Sequence, residues 1–153
     1  MAPVELRAAR AVDAEAVADV LLLSRKAFLP YLPSPRSDAE VRAWIRDTVL
    51  PNQAVTVAVT QNQVAGLLAV DERDGTTWIT HLYVRPPHVG QGIASRLLAY
   101  AMDGSRGAVR FYCFQRNERA RRFYERHGFK AIAFSDGSAN EERCPDVLYE
   151  RLR

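Results

Sequence analysis

The residues best suited to chemistry lie in the run His81-Leu82-Tyr83-Val84-Arg85-Pro86-Pro87-His88-Val89-Gly90-Gln91-Gly92-Ile93-Ala94-Ser95-Arg96-Leu97-Leu98. Thr77 to Val84 reads as a strand, Pro86-Pro87 stops it, and Ile93, Leu97, Leu98 and Ala101 then recur at helical spacing. A strand that enters a helix through a Gly-x-Gly turn exposes the unpaired amides of the first helical turn at the positive end of its dipole. Gly90 and Gly92 tolerate positive φ, and their missing Cβ lets an anion approach the main chain. The predicted chemistry is anion binding. A P-loop is excluded, because it needs G-x-x-x-x-G-K-[ST] and no lysine occurs between Lys26 and Lys130. The spacing of Gly90, Gly92 and Ala94 also fails the dinucleotide fingerprint.

Other chemistries find little support. Cys113 and Cys144 are too far apart in sequence for a Cys-x-x-Cys site, and His81, His88 and His127 fall on separate segments, so no metal centre is expected. Of 21 Lys and Arg against 18 Asp and Glu, seven arginines (106, 110, 116, 119, 121, 122, 126) fall between Arg106 and Arg126 beside only Glu118 and Glu125. The remainder of the chain is net negative, so the basicity is local and suits a compact anion or a solvated helix face. A nucleic-acid binder built on that cluster ranks last among the readings, and no nucleic acid is expected as partner.

These residues need elements to position them. At 153 residues, 48% hydrophobic and 25% charged, the chain has the size and composition of one folded domain, which excludes global disorder. No apolar run approaches a membrane span of about 18 residues, and Met1 to Arg10 has no signal-like core, so a cytoplasmic protein with no membrane partner is expected. Val4 to Ala8 predicts a strand. Asp13 is placed to N-cap a helix over Ala14 to Phe28 with Val17, Leu21 and Phe28 on one stripe. Ser37-Asp38-Ala39-Glu40 reads as a capping box opening a helix with Val41, Trp44, Ile45 and Thr48 on one face and Pro51 beyond its end. The Pro-rich stretch Phe28 to Pro51, with the aromatics Phe28, Tyr31 and Trp44, suits a pocket wall or core, core being favoured for Trp44. Gln53 to Thr60 and Val64 to Asp71 predict a hairpin, and Asp74-Gly75 a turn into Thr77 to Val84. Strands follow at Val109 to Phe114, Lys130 to Phe134 and Val147 to Leu152, with a short helix capped by Asn117 and ended by Gly128. The order β-α-α-β-β-β-α-β-α-β-β predicts an α/β (α+β) layer fold: a mixed, mostly antiparallel sheet of six to seven strands flanked by about four helices.

Two motifs in this order resemble the GCN5-related N-acetyltransferase (GNAT) family. Leu82-Tyr83-Val84-Arg85-Pro86 followed by Val89-Gly90-Gln91-Gly92-Ile93-Ala94 is similar to the family's L-x-V-x-P and [QR]-x-x-G-x-[GA] segments. Asn117, Ala120, Phe123, Tyr124, Glu125, Gly128 and Phe129 follow its N-x-x-A-x-x-F-Y-E-x-x-G-F pattern. The resemblance covers Thr77 to Phe129 and implies a single N-acetyltransferase domain over 1–153, with acetyl-CoA as co-substrate, no metal, and a small-molecule or peptide amine as acceptor. It also admits a homodimer.

By that resemblance, main chain at Leu82, Tyr83 and Val84 would bind the pantetheine arm like an added strand. The turn at Val89, Gly90, Gln91, Gly92, Ile93, Ala94 and Ser95 would hold the pyrophosphate, some arginine of the 106–126 cluster the 3′-phosphate, and Asn117 the pantetheine or acetyl region. Val89 departs from the family's Gln or Arg, which removes a side-chain contact but leaves the amides. Tyr124, two helical turns from Asn117, would be the general acid for the departing thiolate.

An amine of pKa near 10.4 is less than about 0.1% neutral at pH 7, so a proton acceptor or desolvation is needed. Trp78 stands where family members often carry a base and is taken as a substrate-side residue, and alternation places His81 on the opposite strand face from Trp78. Glu141, Glu142 and Asp146, in a polar C-terminal loop similar to that of a bacterial subset, are the candidate substrate-side carboxylates. The alternative is a non-catalytic acyl-CoA-binding module of the same fold.

Overall fold

In the computed structural model, which describes residues 2–152, the chain begins with β1 (Glu5–Ala8), a 3-10 turn (Ala11–Asp13), α1 (Ala14–Phe28) and α2 (Asp38–Trp44). A π-helical turn (Ile45–Val49) joins α2 to α3 (Leu50–Asn52), and β2 (Ala54–Thr60), β3 (Gln63–Arg73) and β4 (Thr76–Val84) follow. A second 3-10 turn (Pro86–His88), α4 (Ile93–Asp103), β5 (Val109–Phe114), α5 (Glu118–Arg126), β6 (Lys130–Ser135) and β7 (Asp146–Arg151) complete it. All seven strands form one sheet in the order β1-β2-β3-β4-β5-β7-β6. Every neighbouring pair is antiparallel except β4 with β5. No helix among the described residues is long and apolar enough to cross a membrane.

The turns explain why β2, β3 and β4 form a meander. Gln61 and Asn62 both take positive φ (52° and 59°), as do Asp74 and Gly75 (51° and 78°), and two-residue turns of this hand match the twist of the strands they join. The hydrophobic core is split by the sheet. On one side, Val17, Leu21, Ile45 and Val49 pack against Val57 and Leu67. On the other, Ile93, Leu97 and Leu98 of α4 and Tyr124 of α5 pack against Leu68, Phe111 and Tyr149.

Three expectations are corrected. Asp13 makes no side-chain cap on α1; its carboxylate turns back to accept from the Arg10 amide at 2.7 Å and from Arg7 at 2.8 and 3.0 Å. The Ser37–Glu40 capping box forms, but Pro51 sits inside the continuing helix. The π-turn before it widens the backbone where the proline ring would otherwise meet the carbonyl four residues earlier. That widening buries Ile45 and Val49, and leaves Trp44 41% exposed and Thr48 exposed.

His81 and Trp78 share a face rather than opposing one another. Ala69 pairs with His81 while Val70 pairs with Ile79, so Thr80 is an extra residue and the alternation slips by one. Trp78 stacks on the exposed Tyr112, and His81 packs on Trp44 and Tyr83, all away from the α4 side.

Pairing with Arg7, then the Arg10 amide, holds the Asp13 carboxyl at about 2 despite its burial. A depressed carboxyl pKa stabilises the fold above its unfolded value and loses that contribution as pH falls through the folded one. Asp13→Asn is expected to cost about 2 kcal/mol at pH 7. Urea unfolding of both proteins should show that gap closing as the pH is taken from about 5 to about 2.

Candidate functional site

The site begins where β4 loses a neighbour. The parallel β4–β5 pairing covers only Thr77 with Val109 and Trp78 with Arg110, after which the strands part. On its other edge β4 stays paired with β3 through Val84. The Arg85 amide donates to Ala65 O at 2.7 Å, so by antiparallel alternation Tyr83 and His81 also direct their polar groups to β3. Leu82 and Val84 therefore present their N–H and C=O groups to the gap. One of these is already engaged: Ser24 Oγ of α1 donates to Val84 O at 2.8 Å.

At the end of β4 the 3-10 turn delivers the chain to α4. Gly90 and Gly92 take φ of +86° and +82°, and Gly92 occupies the N-cap position with no side-chain cap. A Cβ at either glycine would meet nothing within 4 Å, so conformation rather than crowding selects glycine there. The amides of the first turn of α4 thus face the gap uncovered. Gln91 turns aside, its Oε1 lying 3.5 Å from His88 Nδ1. Ser95 Oγ lies 3.2 Å from His127 Nε2, and His127 Nδ1 lies 2.8 Å from Phe123 O. A carbonyl only accepts, so Nδ1 carries hydrogen and, in the neutral ring, Ser95 donates to Nε2.

The third wall is α5, whose N-cap Asn117 accepts from the Ala120 amide at 3.3 Å. Tyr124 is buried with its ring centroid 3.8 Å from that of Phe111. Burial, then the neighbouring Cys113 and Tyr83, raises its phenol well above the ordinary value, so it keeps its proton. Between these walls lies a cavity of about 370 Å³. Leu82, Tyr83 and Val84 line it from β4, Val89, Gly90, Gly92, Ile93, Ala94 and Ser95 from the turn and α4, and Asn117 and Tyr124 from α5. Of the sequence-derived set for this side only Gln91 does not line it.

The arginine cluster disperses. Arg110 pairs with Glu150 at 2.5 Å, Arg121 donates to Tyr149 Oη at 3.0 Å, and Arg122 lies 3.7 Å from Glu118. Arg116 covers the Tyr31 ring and Arg119 the Phe28 ring at 4.1 and 4.3 Å. Arg119 and Arg126 are the two that line the cavity. Ser24, Phe28 and Leu29 close it from α1 and the residue beyond. Nothing in the sequence marks Ser24 and Leu29, because their neighbours there are distant in the chain, whereas Phe28 belongs to the aromatic stretch Phe28 to Pro51 that suits a pocket wall.

A second cavity, about 790 Å³, opens between α1, α2 and the C-terminal loop; Leu29 lines both. Glu141, Glu142, His81 and Trp44 line it. Glu141 pairs with Arg36 at 2.6 Å and Glu142 with Arg25 at 3.5 Å. Trp78 and Asp146 line neither cavity. Trp78 is spent on Tyr112, and Asp146 accepts from Ser135 Oγ and Asn140 Nδ2, which folds the loop. His81 Nδ1 is shut off from solvent with no hydrogen-bond partner among the described residues. Burial, aided by Arg25, pushes this imidazole down to about 4, so it is neutral at pH 7 and a weak proton acceptor. Both cysteines are buried and unbridged, and burial pushes the Cys113 thiol up to about 12. No group of three or more metal-ligating side chains occurs among the described residues.

Comparison with known proteins agrees with this arrangement. The Acetyltransferase (GNAT) family matches residues 22–129. The chain belongs to the GNAT acetyltransferase family. It is 33% identical over 116 residues to a curated acetyltransferase of Agrobacterium fabrum (strain C58), covering 67% of this chain and 85% of that one. PaiA N-acetyltransferase of Thermoplasma acidophilum, solved in complex with coenzyme A, superposes with a TM-score of 0.77 at 18% identity over 99% of both chains. Apo-form YjaB of Escherichia coli gives 0.76 at 21% identity over 97% of both. At these identities the structures establish the GNAT fold.

The left-handed Gly92 fixes how this GNAT chain enters α4. Gly92→Ala is expected to lose about 1–2 kcal/mol of stability, the cost of a Cβ in left-handed backbone. Because no atom waits to clash, denaturant unfolding should show a shifted midpoint with an unchanged slope.

Proposed function

We propose that this chain transfers the acetyl group of acetyl-CoA to a primary amine by direct attack on the thioester. The observation that carries this reading is the meeting, in one cavity, of an unpaired strand edge, an uncapped helix N-terminus and a buried protonated tyrosine. The residues fit the co-substrate chemically. Leu82 N–H and C=O and Val84 N–H can pair with the amides of a pantetheine arm as a strand would. The amides from Gly90 to Ser95 suit a pyrophosphate, and Arg119 and Arg126 suit a further phosphate.

In this reaction the amine nitrogen bonds to the thioester carbonyl carbon, the C–S bond breaks, the departing sulfur takes a proton from Tyr124 Oη, and the surplus proton of the acylated nitrogen restores the phenol. The apolar surroundings that raise the phenol disfavour a bare thiolate in the same place, so donor and acceptor stay matched. The second cavity, reached past Leu29, is the acceptor side. Of its carboxylates, Glu141 is hydrogen-bonded to Arg36 and Glu142 is more loosely paired with Arg25, whereas His81 is too weak a base to serve at neutral pH.

The weakness of His81 is also what favours the second reading, a module that binds acyl-CoA without turnover. Calorimetric titration with acetyl-CoA at low and high salt, followed by an amine panel, separates the two. Micromolar binding that survives salt together with coenzyme A release on amine addition is the expected result. Binding without release supports the module, and absence of binding at millimolar acetyl-CoA refutes both. Tyr124→Phe is expected to lower kcat by about 10²-fold while leaving acetyl-CoA affinity within about twofold. An unchanged kcat would assign Tyr124 to packing alone.

A further inference from the structure

We propose that the acceptor is an α-amino carboxylate with an apolar side chain, held by Arg25 through its carboxylate and by Glu142 through its amine; this rests on the acetyl-CoA reading above. Arg25 lies on α1 and Glu142 in the loop before β7, and both line the larger cavity. Their nearest charged atoms are 3.5 Å apart, with side chains only 30% and 17% exposed. Neither side chain makes a hydrogen bond to another described residue. The other ion pairs of this cavity differ in exposure: Lys26–Asp38 at 3.0 Å and Arg36–Glu141 at 2.6 Å are hydrogen-bonded, Arg36–Glu40 lies at 4.0 Å, and all are about half or more exposed.

Two half-buried ions that touch loosely and leave their donors and acceptors unused are costly unless something else satisfies them. Arg25 offers a fork of parallel N–H groups, which a carboxylate fills in a bidentate manner, and Glu142 offers acceptors for an ammonium. Because the two head groups are adjacent, the ligand's opposite charges must be adjacent too, as in an α-amino acid. A polyamine brings no anion for Arg25. The rest of the cavity is lined by Leu21, Leu22, Leu29, Leu32, Val41 and Trp44, which suits an apolar side chain. The pair is also close to the smaller cavity along the chain: Leu29, one helical turn beyond Arg25, lines both cavities, and its amide donates to Arg25 O at 2.8 Å.

In this site the α-ammonium passes one proton to the Glu142 carboxylate, and the freed amine bonds to the thioester carbonyl carbon. The C–S bond breaks, Tyr124 protonates the leaving sulfur and recovers a proton from the acylated nitrogen, and Glu142 later releases its proton to solvent. The amide product is neutral at nitrogen and no longer pairs with Glu142, so product binds more weakly than acceptor.

Coenzyme A release is to be measured with L-phenylalanine and L-leucine against the same molecules lacking the carboxylate, phenethylamine and isoamylamine. We expect kcat/KM at least about 10-fold higher for each amino acid than for its amine, and loss of that ratio in Arg25→Gln mainly through KM. Arg25→Lys, which keeps the charge but not the fork, should fall between. Thermal unfolding and acetyl-CoA titration on each variant show whether it remains folded and cofactor-competent. Amines that match or exceed the amino acids, or an Arg25→Gln variant that keeps the wild-type ratio, would overturn the assignment. So would acetyl-CoA binding with no reaction on either acid. A wild-type protein that binds no acetyl-CoA would instead remove the function on which it rests.

Discussion

The separation of β4 from β5 is the constraint on which the rest of the molecule depends. Two strands that start as hydrogen-bonded parallel neighbours and then diverge leave main-chain groups that no other strand can reach. The vertex is fixed by several bonds at once: the Thr77 amide donates to Ala108 O at 2.9 Å, Thr77 Oγ1 reaches Ser105 Oγ at 3.2 Å, and Ser105 Oγ donates to Gly107 O at 3.0 Å. Helices α4 and α5 leave the far ends of β4 and β5, so both helix N-termini arrive at the open mouth. Parallel strands with their following helices place ligand-binding groups at the strands' carboxyl ends for this geometric reason. The cavity is thus a property of topology first and of side chains second.

How much of this is legible in the sequence depends on whether a residue's role is local. Turns and caps are local: Asp74-Gly75, Gly92, Asn117 and the Ser37–Glu40 box act through their own backbone neighbourhood, and each occurs where the pattern places it. The family motifs are local in the same sense, so the strand-turn-helix and the Asn117–Tyr124 helix read correctly as parts of one site-forming fold. Side chains whose partners are remote do not read this way. Asp13 looks like a cap until Arg7 claims it, Trp44 looks like core but lies against His81 at the wall of the larger cavity, and Trp78 is taken up by Tyr112. The arginine cluster, dense in sequence, is divided among β5, α5 and the loops before each, and several of its members lie over aromatic rings once folded.

The pairing of segments across the larger cavity follows from the same non-locality. The Pro-rich stretch after α1 and the loop before β7 are more than 100 residues apart, yet Arg36 meets Glu141 and Leu29 and Leu32 pack with Cys144. Acid and base along each segment look like ordinary solvated polarity when read alone. Only their juxtaposition turns them into a lined space, and only there does a loose pair such as Arg25 with Glu142 become distinguishable from its exposed neighbours.

The extra residue at Thr80 acts as a phase shifter within β4. Without it Ile79, His81 and Tyr83 would all point the same way, and Ile79 could not join the α4 side while His81 and Tyr83 join the α1 side. Bulges also coil a strand more tightly. Thr80 comes two residues after the last pairing with β5, so one inserted residue both reassigns the faces of the strand and adds twist at the fork. Deleting it would mis-phase the strand and flatten the wedge together, linking the composition of each wall to the shape of the opening between them.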